Sequence, residues 1–286
     1  MVNGMMESNR PPLRTRTYGT SGPVVVVLHG GPAAAGDAAP VARGLADRFR
    51  VLEPWQRGSG GEPLTVARHV DDLHALVESH SEDGGRPALV GHSWGAMLAL
   101  AYAARHPESA GPLALIGCGT FDPAARAHFQ ASLEARMDDA LRRRIERLAE
   151  EYPDPGERCR QHFNLIEPLY ACDLLPPEDP DEEAEPFDFR AHSETWQDVL
   201  RLQQEGVYPA AFAAIDSPVL MLHGADDPHP GEMIRDSLKP FLPQLEYRQL
   251  DRCGHSPWRE KHAREEFFTL LKDWLAQKLA SDGECT

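Results

Sequence analysis

The chain has 286 residues, 41% hydrophobic and 26% charged, which suits one large globular α/β domain or a core domain carrying an insertion. Its 45 acidic against 29 basic residues leave a formal charge of −16, so no basic field gathers nucleic-acid phosphates and nucleic acid is not expected as a partner. Cys118, Cys159, Cys172, Cys253 and Cys285 form no C-x-x-C pair and read as scattered reduced thiols. The first residues hold no apolar signal core and no segment approaches 18 uninterrupted apolar residues, so a soluble, cytoplasmic protein is expected.

Short β-branched runs alternate with longer amphipathic ones. "PVVVVLHG" (Pro23 to Gly30) has four consecutive valines, as a strand buried on both faces of a parallel sheet requires. A helix is expected over "APVARGLADRF", a strand over "RVLEPW", and a helix over Thr65 to His80, where Val66, Val70, Leu73 and Val77 share one face. "RPALVGH", "GPLALIG" and "SPVLMLHG" repeat the short-strand signature, and "REEFFTLLKDWLAQKL" closes the chain as a helix. Strands and helices alternating at these lengths predict a mostly parallel, doubly wound sheet.

Between about Thr120 and Tyr208 that rhythm stops. The stretch holds helix-like runs such as Ala127 to Tyr152 but no clear buried-strand signal, and the acidic, proline-rich stretch from Pro176 to Pro186 reads as a solvated connection. The expected organisation is a core of residues 1–119 and 208–286 with a helical insertion at 120–207.

Within this pattern "GHSWG" sets Ser93 between Gly91 and Gly95, where "PALVG" meets the helix-like "GAMLALAYAARHP". A lone G-x-S-x-G is weak, but at a strand-to-helix junction it is the context in which a nucleophile stands exposed above the carboxyl edge of the sheet. A serine hydroxyl is a poor nucleophile at neutral pH and needs a base with an orienting carboxylate. "VLMLHGADDPHP" ends one expected strand with Asp226 and Asp227, and "QLDRCGHSPWRE" follows another with His255, giving the order Ser, Asp, His. Asp227, last in a strand-terminal G-x-x-D, is favoured over Asp226. The backbone N–H of Trp94, after the nucleophile, and that of Gly31, in "HGGPA", are candidate donors to an oxyanion. His29 reads as a loop-holding residue. His69, His74 and His80 have no spacing for a shared ligand set and no H-E-x-x-H occurs, so neither a metal nor another cofactor is expected.

Through "HGGPA", "QRGSG", "GHSWGAMLALAYAARHPE", "LHGADD" and "GHSPW" the chain resembles serine hydrolases of the α/β-hydrolase fold, within them the prolyl aminopeptidase (proline iminopeptidase) branch. The resemblance implies Ser93 as nucleophile, Asp227 as carboxylate, His255 as base, Gly31 and Trp94 as the oxyanion hole, and a helical cap after the sixth strand, over residues 120 to 207. It also implies cap acids that hold a substrate's amino terminus, for which Glu167, Asp173, Glu194 and Asp198 are candidates. Two departures stand out: Ala33 replaces a further loop glycine, and the family's D-Q-R-G becomes Trp55-Gln56-Arg57-Gly58. The expected activity is cleavage of a small ester or amide through an acyl-enzyme, on a small-molecule or short-peptide substrate, as a prolyl aminopeptidase or as an esterase or lactonase. An aspartate-nucleophile hydrolase is disfavoured by Ser93 itself. A non-catalytic binding protein on the same fold would have no need of nucleophile, acid, base and oxyanion loop together.

Overall fold

The computed structural model describes residues 11–80, 85–176 and 187–282. Seven strands form one sheet in the order β1-β3-β2-β4-β5-β6-β7: β1 (Thr15–Tyr18), β2 (Val24–Leu28), β3 (Arg50–Pro54), β4 (Ala88–His92), β5 (Leu113–Ile116), β6 (Val219–Gly224) and β7 (Leu245–Leu250). Every pairing is parallel except β1 with β3. Successive side chains of a strand point to opposite faces. Val26 and Leu28 therefore pack into the cluster beneath α2 (Val66–His80), α3 (Trp94–Arg105) and α8 (Gly231–Leu238), while Val25 and Val27 join the one beneath α1 (Ala39–Leu45) and α9 (Arg264–Asp282). Helices cover both faces, so the central strands carry no polar side and read in sequence as unbroken apolar runs.

The edge strand β1, "TRTY", lacks that signal and was not expected. It is held by Glu53 of β3, fully buried, which accepts from Arg16 Nε at 2.7 Å, Arg16 Nη2 at 2.9 Å and Tyr18 Oη at 3.2 Å. A buried carboxylate is tolerable only with such partners.

Between β5 and β6 the described residues hold α4 (Pro123–Arg136), α5 (Asp139–Glu151), α6 (Pro155–Ile166) and α7 (Phe189–Gln204), joined to the core strands by loops and short 3₁₀ turns. The insertion follows the fifth strand among the described residues. The helix-like run over Ala127 to Tyr152 holds two helices: α4 stops at Met137, which adopts an extended backbone, and Asp138 starts α5 by accepting the Leu141 N–H. From residue 177 the acidic stretch lies outside the described residues, as does Cys285. Cys118, Cys159, Cys172 and Cys253 are free thiols. Among the described residues no helix is long and apolar enough to cross a membrane.

Candidate active site

The carboxyl ends of β2, β4, β6 and β7 converge beneath the insertion. Ser93 is the turn between β4 and α3, with φ 54° and ψ −115°, a left-handed conformation that L-residues rarely adopt and that lifts the side chain off the sheet edge. Crowding explains the flanking glycines: a Cβ on Gly91 would lie 2.2 Å from Gly95 O, and one on Gly95 would lie 2.3 Å from Leu28 O. Strand and helix can approach this closely only without those side chains.

Ser93 opens onto a cavity of about 550 Å³ that Gly30, Gly31, Trp94 and His255 also line from below. From the insertion Phe129, Phe163, Tyr170 and Trp196 form its apolar roof. The N–H groups of Gly31 and Trp94 have no backbone acceptor among the described residues, so both remain able to donate into the cavity. Gly31 has φ 113°, open to glycine, whereas Ala33 takes φ 74° without that freedom. The glycine expected from the resemblance at that position has a plain conformational reason.

Asp227 follows β6, fully buried at its side chain, and its Oδ2 lies 2.7 Å from His255 Nδ1. Asp226 is exposed. The other oxygen of Asp227 accepts both the backbone N–H and the Nδ1–H of His229, each at 2.9 Å, and His223 Nε2 lies 3.3 Å from Oδ2. Burial alone would raise the carboxyl's pKa; the imidazoles of His255, His229 and His223 overcome it and hold the group well below the usual carboxylate range. His229 was not singled out in the sequence; it follows Asp227 by two residues, and its ring stacks on Phe129 of the insertion at 4.0 Å. Asp227, His229 and His255 each offer a ligand atom within 4.8 Å of the others, a set able to hold a metal ion; both rings turn Nδ1 to the carboxylate instead. A direct Ser93–His255 hydrogen bond is not among the contacts of the described residues, although both line the cavity. Such contacts commonly tighten only with substrate bound.

Loops on either side are braced by buried polar groups. His29 accepts the Gln56 N–H at Nε2, 3.1 Å away, and turns Nδ1 to Gly30 O at 2.9 Å, a neutral ring with both nitrogens used; burial pushes its pKa down to about 4. Gln56 in turn donates to His29 O at 2.9 Å and accepts Trp94 Nε1–H at 2.6 Å, so the indole ties "QRGSG" to the turn that carries Ser93. Arg57 grips Asp72 of α2 with two bonds of 2.7 Å. His92 Nε2 meets His255 O at 3.1 Å, and His255 N–H donates to Tyr170 O at 2.8 Å. The described His74 and His106 rings stack on each other at 3.8 Å, away from the cavity.

Of the four acids proposed to hold an amino terminus, only Glu167 lines the cavity, and it is paired with Arg259 at 2.6 Å. Glu194 and Asp198 accept the N–H groups of Leu64 and Val66, each at 2.8 Å, fastening α7 to the start of α2. Asp173 pairs with His262 at 3.1 Å.

The chain is similar to the proline iminopeptidase of Neisseria gonorrhoeae, 41% identical over 100 residues that cover 32% of each chain. It thus spans about a third of that relative's length. To the proline iminopeptidase of Lactobacillus helveticus it is 26% identical over 297 residues, 89% of this chain and 90% of the other. The crystal structure of VinJ has the same fold, with a TM-score of 0.66 at 20% identity over 92% of this chain and 94% of that one. A strained serine at a strand-to-helix turn, a seven-stranded mostly parallel sheet and a family match over residues 25–270 agree: the chain belongs to the alpha/beta hydrolase family of enzymes.

Proposed function

We propose that the enzyme is a serine hydrolase that cleaves a small ester through an acyl-enzyme on Ser93, beneath a cap formed by the helical insertion at 120–207. The observation that carries this reading is the buried Asp227 carboxylate 2.7 Å from His255 Nδ1, on a ring that shares the cavity with Ser93. Asp227 accepts the Nδ1–H of His255 and so leaves the lone pair on Nε2. That lone pair takes the Ser93 proton as the hydroxyl attacks the substrate carbonyl. The oxyanion forms against the N–H groups of Gly31 and Trp94, whose individual loss would cost about 100- to 1000-fold in rate. Collapse expels the leaving group with the proton from His255, and the same ring then activates the water that frees the acyl group.

Aminopeptidase action on a free amino terminus is the second reading, and the relatives named proline iminopeptidase favour it. Against it, the one candidate cap acid in the cavity already faces Arg259, so an ammonium group would have to displace a paired arginine. Ester cleavage therefore ranks first.

A fluorophosphonate probe should label Ser93, and Ser93→Ala should lose at least about 10⁴-fold in turnover of p-nitrophenyl esters. Full turnover by Ser93→Ala on every substrate of the unmutated enzyme would overturn the mechanism. In a panel of p-nitrophenyl esters, lactones and amino-acid naphthylamides, cleavage of the proline amide alone would reverse the ranking of the two readings.

A further inference from the structure

Three arginines reach the cavity, and they differ in what balances their charge. Arg259 has Glu167, and Arg160 has Glu157. Arg126, on α4, has no carboxylate in ion-pair contact among the described residues. Its Nη2 donates to the neutral side-chain oxygen of Gln203, and its Nε is buried without an acceptor. Gln203 is itself fixed, its Nε2 donating to Thr120 O at 2.9 Å, so the guanidinium is aimed by a braced partner. Burial lowers the Arg126 pKa, opposed by the field of Asp122 one turn earlier, whose carboxylate is engaged in capping α4 through the Ala125 N–H at 2.9 Å.

A half-buried guanidinium beside apolar surface is costly unless an anion answers it. Met97, Gly119, Thr120, Phe129 and Gln130, which line the same cavity, are not acidic; its two acidic lining residues are Asp37 and Glu167, and Glu167 faces Arg259. A carboxylate that enters the cavity would give Arg126 a counter-charge in direct contact, which Asp122, engaged at the Ala125 N–H, does not make. We infer that the substrate carries a carboxylate, bound by the Arg126 guanidinium while its ester carbonyl lies at Ser93. The catalytic part of this inference rests on the serine-hydrolase reading; the binding part stands on Arg126 alone.

The test compares p-nitrophenyl butyrate with the mono-p-nitrophenyl esters of succinic, glutaric and adipic acids, on the unmutated enzyme, Arg126→Gln and Arg126→Lys, each checked for folding by circular dichroism. The unmutated enzyme should show a lower KM for at least one carboxylate ester than for butyrate. Arg126→Gln should raise the KM ratio of that ester to butyrate by about 10- to 100-fold, the size of one charge-assisted contact, and Arg126→Lys should recover part of it. In parallel, calorimetry of Ser93→Ala with glutarate and with monomethyl glutarate should show binding that Arg126→Gln abolishes. If no ester is cleaved yet this Arg126-dependent binding persists, the serine-hydrolase reading fails and the anion site stands. Absence of any carboxylate preference, an unchanged KM ratio in Arg126→Gln, or no Arg126-dependent binding would overturn the inference.

Discussion

Glu260 is one of the residues that join the His255 loop to the insertion, and Glu260→Gln tests that joint. The side chain is fully buried; Oε1 accepts the N–H groups of Cys172 and Gly254, both at 2.9 Å, and Oε2 accepts that of Asp173 at 2.8 Å. Gly254 precedes His255, and Cys172 and Asp173 follow Tyr170, whose carbonyl receives the His255 N–H. A glutamine keeps one oxygen for two of these donors, each bond weakened by about 1 kcal/mol as the acceptor loses its charge. Its NH₂ then confronts the Asp173 N–H, leaving that part-buried donor unpaired at about 1–3 kcal/mol. Relief of a buried charge offsets part of the sum, so the net loss should be about 2–4 kcal/mol, or roughly 5–15 °C in Tm. A shift of His255 by about 1 Å would lower kcat by about 100-fold. Urea unfolding and p-nitrophenyl ester turnover measure both. A variant within 1 kcal/mol and threefold in kcat of the unmutated enzyme would refute the idea that this carboxylate sets the position of His255.

Two further outcomes follow from other parts of the structure. His29 and His69 are buried, and burial lowers each from near 6.5 to about 4, for His69 against the opposing field of Asp72. Protons then bind the unfolded chain more readily than the folded one, so the contribution of each ring, about 3 kcal/mol, is present above pH 6.5 and is lost as pH falls from 6.5 towards 4. Urea midpoints at pH 7, 5.5 and 4.5 should fall steadily, and a flat profile would contradict the neutral burial of these rings. Ala33→Gly removes the Cβ from a residue at φ 74°; relief of about 1–2 kcal/mol, less the greater freedom of glycine in the unfolded chain, should raise stability by about 0.5–1 kcal/mol. A lower Tm in that variant would show that the backbone there carries no strain.

How much of this was legible in sequence depends on whether a residue's surroundings were set by its own neighbours in the chain. Val24–Leu28 and Val219–Gly224 announce themselves because both faces of a central parallel strand are apolar. Ser93, Asp227 and His255 follow, each standing just beyond a strand whose end could be read, and a sheet of this kind brings strand ends to one edge. The edge strand Thr15–Tyr18 was missed because its stability comes from Glu53, 37 residues from Arg16 along the chain. Two starts in the insertion do carry a local signal: Asp122-Pro123 and Asp154-Pro155 each set an N-cap aspartate before a proline at the first helical position. By contrast, nothing local to Glu194 or Asp198 could say that each would be used on a backbone N–H some 130 positions away.

Charge shows the same division between chain and site. A formal charge of −16, from 45 acids against 29 bases, argues against a polyanionic partner, because such a partner meets the summed field of the whole surface. A small substrate meets only the groups that line its cavity, where Arg126, Arg160 and Arg259 stand against Asp37 and Glu167. Of those arginines two have a carboxylate in contact, so the feature that marks Arg126 is the lack of one among the described residues. Such a feature belongs to no residue and no spacing. It exists only once α4, Gln203 and the end of β5 have been folded against one another, which is why the core strands could be read along the chain while the proposal of a carboxylate on the substrate rests on the cavity.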